Sequence, residues 1–319
     1  MRQLQFRRTL LAVALMLTPG AAFRALPSLA AVPLRAAVSP SGSVAISMQA
    51  AAAAMPSQPP LLPELQAPKT NKVSRTVTAG AFGIIAAVVV SAMYPFVLSA
   101  TLIGYLFDNK RRRLNDWVVQ MWARLTMLVF CASVTVENAE VLPPAGEPVM
   151  YCPNHCSFLD IFALSGYLPR RFKYISKIEI LRIPLIGWAM RFAKHIAIRR
   201  SDRASQLKTL KDAIQTLKDG SSLVTFPEGT RSKTGRLEAF KKGPFTMASR
   251  AGVRIVPISI VGTHLFQPPG AFLPFAIPRG VRIICHPPLD PPAEKKEDVT
   301  LKATREAILS ALPPSMQPQ

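Results

Sequence analysis

The sequence predicts an α/β domain with a mixed, largely parallel sheet, preceded by an N-terminal membrane-anchoring helical segment. Three observations carry this expectation. From about Glu137 onward, short apolar runs of strand length alternate with helical patterns, as when crossover helices connect parallel strands. Val77 to Phe107 contains no charged residue. Of 319 residues, 39 are Lys or Arg and 18 are Asp or Glu, a net charge of +21, while 49% are hydrophobic.

That charge balance points to a polyanionic partner. The hydrophobic fraction favours an anionic membrane surface over nucleic acid, and no zinc-finger, helix-turn-helix or RNP pattern is present, so no nucleic-acid partner is expected. Cys131, Cys152, Cys156 and Cys285 are irregularly spaced and do not form a disulfide framework.

In chain order, residues 1–22 read as a signal peptide: Arg2, Arg7 and Arg8, a short apolar core from Thr9 to Leu17, then small residues before Phe23. Residues 23–70 read as a transit-peptide-like leader, rich in Ala, Ser and Pro, with no acidic residue before Glu64. The two together resemble the bipartite leaders of algae with secondary plastids, which implies a plastid membrane. An Ala/Pro-rich arm on a protein of the endoplasmic reticulum or a mitochondrial membrane is the alternative.

Residues 71–136 are expected to hold the membrane-anchoring helices. As a helix, Val77–Phe107 would run about 45 Å, longer than the ~30 Å hydrocarbon core. Gly80, Gly83 and Pro95 leave open one kinked span or two short helices in one leaflet. Lys110-Arg111-Arg112-Arg113 would suit anionic headgroups. Trp117–Val136 holds Trp122 and Arg124 and reads as an interfacial or packed helix. Residues 137–319 would then be the catalytic domain. Its expected strands are Val149–Cys152, Phe172–Ser176, His195–Ile198, Leu223–Phe226, Arg254–Ile260 and Val281–Cys285. The clearest helix runs from Asp202 to Asp219, with Leu207, Leu210, Ile214 and Leu217 on one stripe and Gly220 as its stop. Another starts at Gly243-Pro244 and ends at Gly252.

Two stretches carry chemistry. In Asn154-His155-Cys156-Ser157-Phe158-Leu159-Asp160, the imidazole is a candidate general base that needs an acceptor on its second nitrogen. Within one helix His155 and Asp160 would lie roughly 140° apart. They can meet only if His155 sits in a loop before the helix. Pro153 disfavours helix at Cys152, and Ser157 as N-cap would start the helix near Phe158 and place Asp160 at N3. Asp160 could alternatively serve only a capping box with Ser157. Cys152, His155 and Cys156 lack the second ligand pair of a zinc site, so no metal is expected.

The second stretch, Phe226-Pro227-Glu228-Gly229-Thr230-Arg231-Ser232, follows a strand. Pro227 ends the ladder, Gly229 permits a sharp turn, and Arg231 can grip phosphate bidentately. Glu228 could orient Arg231 or accept from a substrate hydroxyl. A solvated surface turn is the bland alternative.

Together and in this order, the two stretches resemble the glycerolipid acyltransferase family, whose signature pairs Asn-His-x4-Asp with Phe-Pro-Glu-Gly-Thr-Arg. Lys177, Leu181, Pro184, Gly187 and Arg199 fit its middle motif. Phe240-Lys241-Lys242-Gly243 and Val256-Pro257-Ile258 fit its later segments. Thr230, Phe158–Ile161 and Ile186–Met190 look most like the plastid lysophosphatidate branch. The resemblance implies a glycerolipid-acyltransferase-like fold. It implies transfer of an acyl chain from acyl-ACP or acyl-CoA to the sn-2 hydroxyl of lysophosphatidate, with no cofactor. His155 and Asp160 would be catalytic, Arg231 and Lys177 would hold the phosphate, and Asn154, Glu228, Gly229 and Thr230 would support the motifs. A glycerol-3-phosphate or other lysophospholipid acceptor is the nearest alternative, and a non-catalytic lipid-binding protein a remote one.

Overall fold

The computed structural model describes residues 65–199 and 201–319. The expected signal peptide, and the leader as far as residue 64, lie outside the described residues. Residues 65–70 run without helix or strand into α1 (Lys72–Phe107), whose first turn is capped by Asn71 accepting from the Ser74 N–H. This helix is 36 residues long, roughly 54 Å, and continues unbroken through Pro95. One helix, not two, therefore carries the uncharged stretch. Among the described residues it alone is long and apolar enough to cross a membrane by length and composition. Many of its large apolar side chains are exposed, Val88, Phe96 and Leu102 among them.

The second apolar stretch is a packed helix, α2 (Arg113–Val129), but it is shorter than its apolar run. The backbone turns left-handed at Cys131, and Val134–Glu137 forms β1, a strand of the sheet. The sheet thus takes in residues a little before position 137. Alternating Val134 and Val136 is a strand signal that the continuous apolar run hid. The basic block between α1 and α2 makes contacts within the chain. Arg111 donates to the Asp219 carbonyl at 2.6 Å, buried Arg112 donates to the Thr101 carbonyl at 2.8 Å, and Arg113 pairs with Asp108 at 3.1 Å. Three of the four cations expected to face headgroups thus have partners within the chain, Arg113 while remaining exposed.

The strands that follow are β2 (Met150–Pro153), β3 (Lys173–Lys177), β4 (Ile196–Ile198), β5 (Leu223–Val224), β6 (Ile255–Val261) and β7 (Val281–Cys285). The helices between and after them are α3 (Leu159–Tyr167), α4 (Ile186–Phe192), α5 (Arg203–Lys218), α6 (Gly243–Ala251), α7 (Thr263–Phe266) and α8 (Glu297–Ser310). Strand order is β1-β7-β6-β2-β5-β3-β4. The pairs from β4 to β6 are parallel, β6 and β7 are antiparallel, and β1 runs parallel to β7. The predicted mixed, largely parallel sheet is what forms. β5 is shorter than the expected Leu223–Phe226, because the chain leaves the ladder before Pro227.

Strand alternation sorts side chains onto two faces. Tyr151, Val256, Ile258 and Ile260 pack with Phe82 of α1, Met127 of α2 and Leu159 and Phe162 of α3. Met150, Cys152 and Ile255 pack with Ala213 and Leu217 of α5 and Phe245 and Ala248 of α6. Gly166 lets α3 touch α2, since a Cβ there would lie 3.0 Å from the Arg124 Cα. A buried ion pair joins α2 to the sheet: Lys173 Nζ donates to both Asp116 carboxylate oxygens and to the Ala193 carbonyl, each at 2.7 Å. Because β2 to β6 share one direction, their carboxyl ends form one edge. Both motifs leave from that edge, where ligands of open α/β sheets sit.

Candidate active site

His155 lies in the loop between β2 and α3, as the spacing requires. Its Nδ1 is 2.8 Å from Asp160 Oδ2. The same oxygen accepts the backbone N–H groups of Cys156 at 2.8 Å and Ser157 at 2.9 Å. A carboxylate oxygen that accepts two backbone donors is unprotonated, so Nδ1 carries the proton and Nε2 offers its lone pair. Among the described residues Nε2 has no hydrogen-bond partner. The imidazole is stacked on Phe226, with ring centroids 3.7 Å apart.

The capping alternative for Asp160 and its dyad role are not exclusive in this geometry. Its carboxylate reaches back to Ser157 N–H, as in a capping box, while holding His155. The helix itself starts one residue later than expected, at Leu159, whose N–H donates to Ser157 Oγ at 3.2 Å and to Gln267 Oε1 at 2.9 Å.

Asn154 fixes the loop to its neighbouring strand. Its Oδ1 accepts the Ile260 N–H at 2.6 Å, and its Nδ2 donates to the Ile260 carbonyl at 3.0 Å. Glu228 does not orient Arg231. Its Oε1 accepts the His155 N–H at 2.6 Å and its Oε2 the Glu238 N–H at 2.9 Å. Burial pushes its carboxyl up to about 7, against the pull of those two N–H donors. Ser232 N–H closes the second bridge between the motifs, donating to the His155 carbonyl at 2.8 Å.

Gly229 adopts φ +77°, and Lys241 occupies the space a side chain there would need: a Cβ would lie 2.8 Å from its Nζ. The sequence had given Lys241 no role. Thr230 and Arg231 are exposed in this turn, and Arg231 has no ionic or hydrogen-bond partner among the described residues. Lys177, the last residue of β3, is also exposed and lies 3.6 Å from Glu179. No contact joins Lys177 to Arg231; they share only the carboxyl edge. Gly187 packs directly on the Leu181 carbonyl, where no Cβ fits, which explains why the middle motif pairs these positions.

Cys156 is buried beside Asn154 and the Gly235 carbonyl, and burial pushes its thiol well above the ordinary range, so it is a poor nucleophile. Among the described residues no group of three or more His, Cys, Asp or Glu side chains is arranged to hold a metal ion. Beside the second motif lies a cavity of about 490 Å³, lined by Ile198, Leu207, Leu210, Phe226, Lys241 and Met247. Another, of about 540 Å³, is lined by Leu65, Ser74, Phe266 and Arg279 and borders neither motif.

Sequence reasoning also missed Thr263 and Gln267, from the turn after β6. Thr263 Oγ1 donates to Asp160 Oδ1, and Gln267 Oε1 accepts from Ser157 Oγ at 2.8 Å. The only sequence signal was Gly262, which marks a turn at the end of the apolar strand.

A histidine–carboxylate pair thus sits on the carboxyl edge of this sheet, on the same edge as a turn that carries an exposed arginine. Residues 133–261 match the family model described as Acyltransferase. It is 41% identical over 229 residues to a 1-acyl-sn-glycerol-3-phosphate acyltransferase of Chlamydomonas reinhardtii, covering 72% of this chain and 65% of that protein. It is 39% identical over 235 residues to the chloroplastic 1-acyl-sn-glycerol-3-phosphate acyltransferase of Arabidopsis thaliana, covering 72% and 64%. The chain therefore spans a little under two thirds of the length of these relatives. The crystal structure of the 1-acyl-sn-glycerophosphate (LPA) acyltransferase PlsC from Thermotoga maritima superposes with a TM-score of 0.64 at 28% identity, covering 74% of this chain and 94% of that one.

Proposed function

We propose that this protein transfers an acyl chain from an acyl-ACP or acyl-CoA thioester to the sn-2 hydroxyl of lysophosphatidate, giving phosphatidate. The observation that carries this reading is the 2.8 Å contact between His155 Nδ1 and Asp160, which leaves Nε2 as a base. Nε2 takes the hydroxyl proton as the alkoxide oxygen attacks the thioester carbonyl. The tetrahedral adduct collapses, the C–S bond breaks, and the imidazolium returns its proton to the leaving thiolate. No acyl-enzyme forms and no cofactor enters. Arg231, with Lys177 and Lys241 as further cations, holds the acceptor phosphate, and the cavity beside Phe226 takes apolar chain. The names of the relatives from C. reinhardtii and A. thaliana support lysophosphatidate as acceptor. The word chloroplastic in the latter, with the leader composition, supports a plastid membrane. The exposed apolar face of α1 supports anchoring there.

The test is an acyl-transfer assay with lysophosphatidate and glycerol 3-phosphate as acceptors, each with acyl-ACP and acyl-CoA. Phosphatidate made only from lysophosphatidate, and lost in His155→Ala while vesicle binding persists, is the expected result. Product from glycerol 3-phosphate alone would move the enzyme to that acceptor. Undiminished turnover in His155→Ala would sink the mechanism.

A further inference from the structure

The Asp160 carboxylate is fully buried, and its two oxygens are served unequally. Oδ2 accepts from His155 Nδ1, Cys156 N–H and Ser157 N–H. Among the described residues Oδ1 accepts from one group only, the Thr263 hydroxyl, at 2.5 Å, within the range of a hydroxyl donating to an ionised oxygen. Thr263 comes from a different part of the chain, just after the interior strand β6. Gly262 at φ +94° turns the backbone there. The two-way bond between Asn154 and Ile260 holds the exit of β2 beside the exit of β6. Gln267, on the same turn, takes the Ser157 hydroxyl and the Leu159 N–H. The loop bearing His155 is thus held against one short segment, residues 260–267.

We propose that Thr263 is a positioning residue of the acyl-transfer site: its hydroxyl pins Asp160 Oδ1, so that Oδ2 stays in line with His155 Nδ1. This rests on the reading of His155 as the base. Without the hydroxyl, Oδ1 is a buried acceptor with no donor, and rotation of the carboxylate that relieves it breaks the alignment with the imidazole. Thr263 does not touch the acceptor or the thioester in this account. Its loss therefore acts on the chemical step rather than on binding.

The experiment compares the full chain with Thr263→Val, Thr263→Ser, Thr263→Ala and His155→Ala, measuring kcat and KM for lysophosphatidate together with melting temperature. The Val variant keeps the shape and removes the donor. Its kcat is expected to fall about 10- to 100-fold, as for other groups that orient a reactive side chain, with KM changed by less than about two-fold. The Ser variant restores kcat to within about three-fold. If Val does not fold, Ser against Ala makes the same comparison, with Ser active and Ala impaired. Near-normal kcat in a folded Val or Ala variant, beside an inactive His155→Ala, would overturn the role of Thr263 alone. Equal losses in Ser and Ala would do so too. Full turnover in His155→Ala would overturn the base assignment, and this proposal with it.

Discussion

Glu228 shows how one side chain couples the two motifs. It carries the His155 N–H on one oxygen and the Glu238 N–H on the other, in a site that burial makes hostile to its charge. With its carboxyl raised from 4.5 to about 7, the unfolded chain ionises first as pH climbs. The stabilising contribution is therefore fully present below pH about 4.5 and is lost as pH rises to about 7. Glu228→Gln has no such slope. The stability difference, wild type minus variant, is expected to shrink by roughly 3 kcal/mol across that window. Denaturant midpoints at the two ends measure it, and a pH-independent difference would mean that Glu228 ionises normally. His155 and Asp160 were legible in the sequence because their contact is local, set by five residues and a helix start. Thr263 and Gln267 were not. They lie about a hundred residues away, and only the adjacency of β2 and β6 brings them to the site.

Elements tell a similar story. The parallel strands and α5 follow from periodicity, and α5, capped by Asp202, begins at Arg203, one residue inside the expected start. The strand β1 was obscured because its alternation adjoins an apolar helix. The join between α2 and the sheet was invisible, because nothing in the sequence pairs Asp116 with Lys173. Burial pushes the Asp116 carboxyl up and the Lys173 ammonium down, and each partner pulls the other back. Removing one partner leaves an uncompensated charge, so Lys173→Met is expected to cost about 3–5 kcal/mol. The double replacement Asp116→Leu with Lys173→Met should recover most of that loss. Unfolding in detergent distinguishes the two, and an additive double variant would show that the pair does not interact.

For the whole molecule, the net charge of +21 does not say which groups would meet a membrane. Arg111 and Arg112 are held by backbone carbonyls and exposed Arg113 pairs with Asp108, while Val88 and Phe96 of α1 face outward. Replacing Val88 and Phe96 by Gln is expected to weaken binding to charge-neutral vesicles by at least about ten-fold, by the area of apolar surface withdrawn. Neutralising Lys110 should change binding by no more than about five-fold, near the limit for one surface cation. Co-sedimentation with vesicles of each composition would decide, and a dominant effect of Lys110 would reverse the assignment.

The outer strand has a consequence for the order in which the protein can assemble. Among the described residues β1 pairs only with β7, Val134 opposite Val281, so one edge of the sheet joins its first strand in the chain to its last. A chain that emerges N-terminus first, from a ribosome or through a translocation pore, delivers α1, α2 and β1 long before β7. On a ribosome that interval is on the order of ten seconds at ~5–20 residues per second. For its duration α1 and α2 have already been made, while the strand attached to them waits for a partner that has not yet appeared.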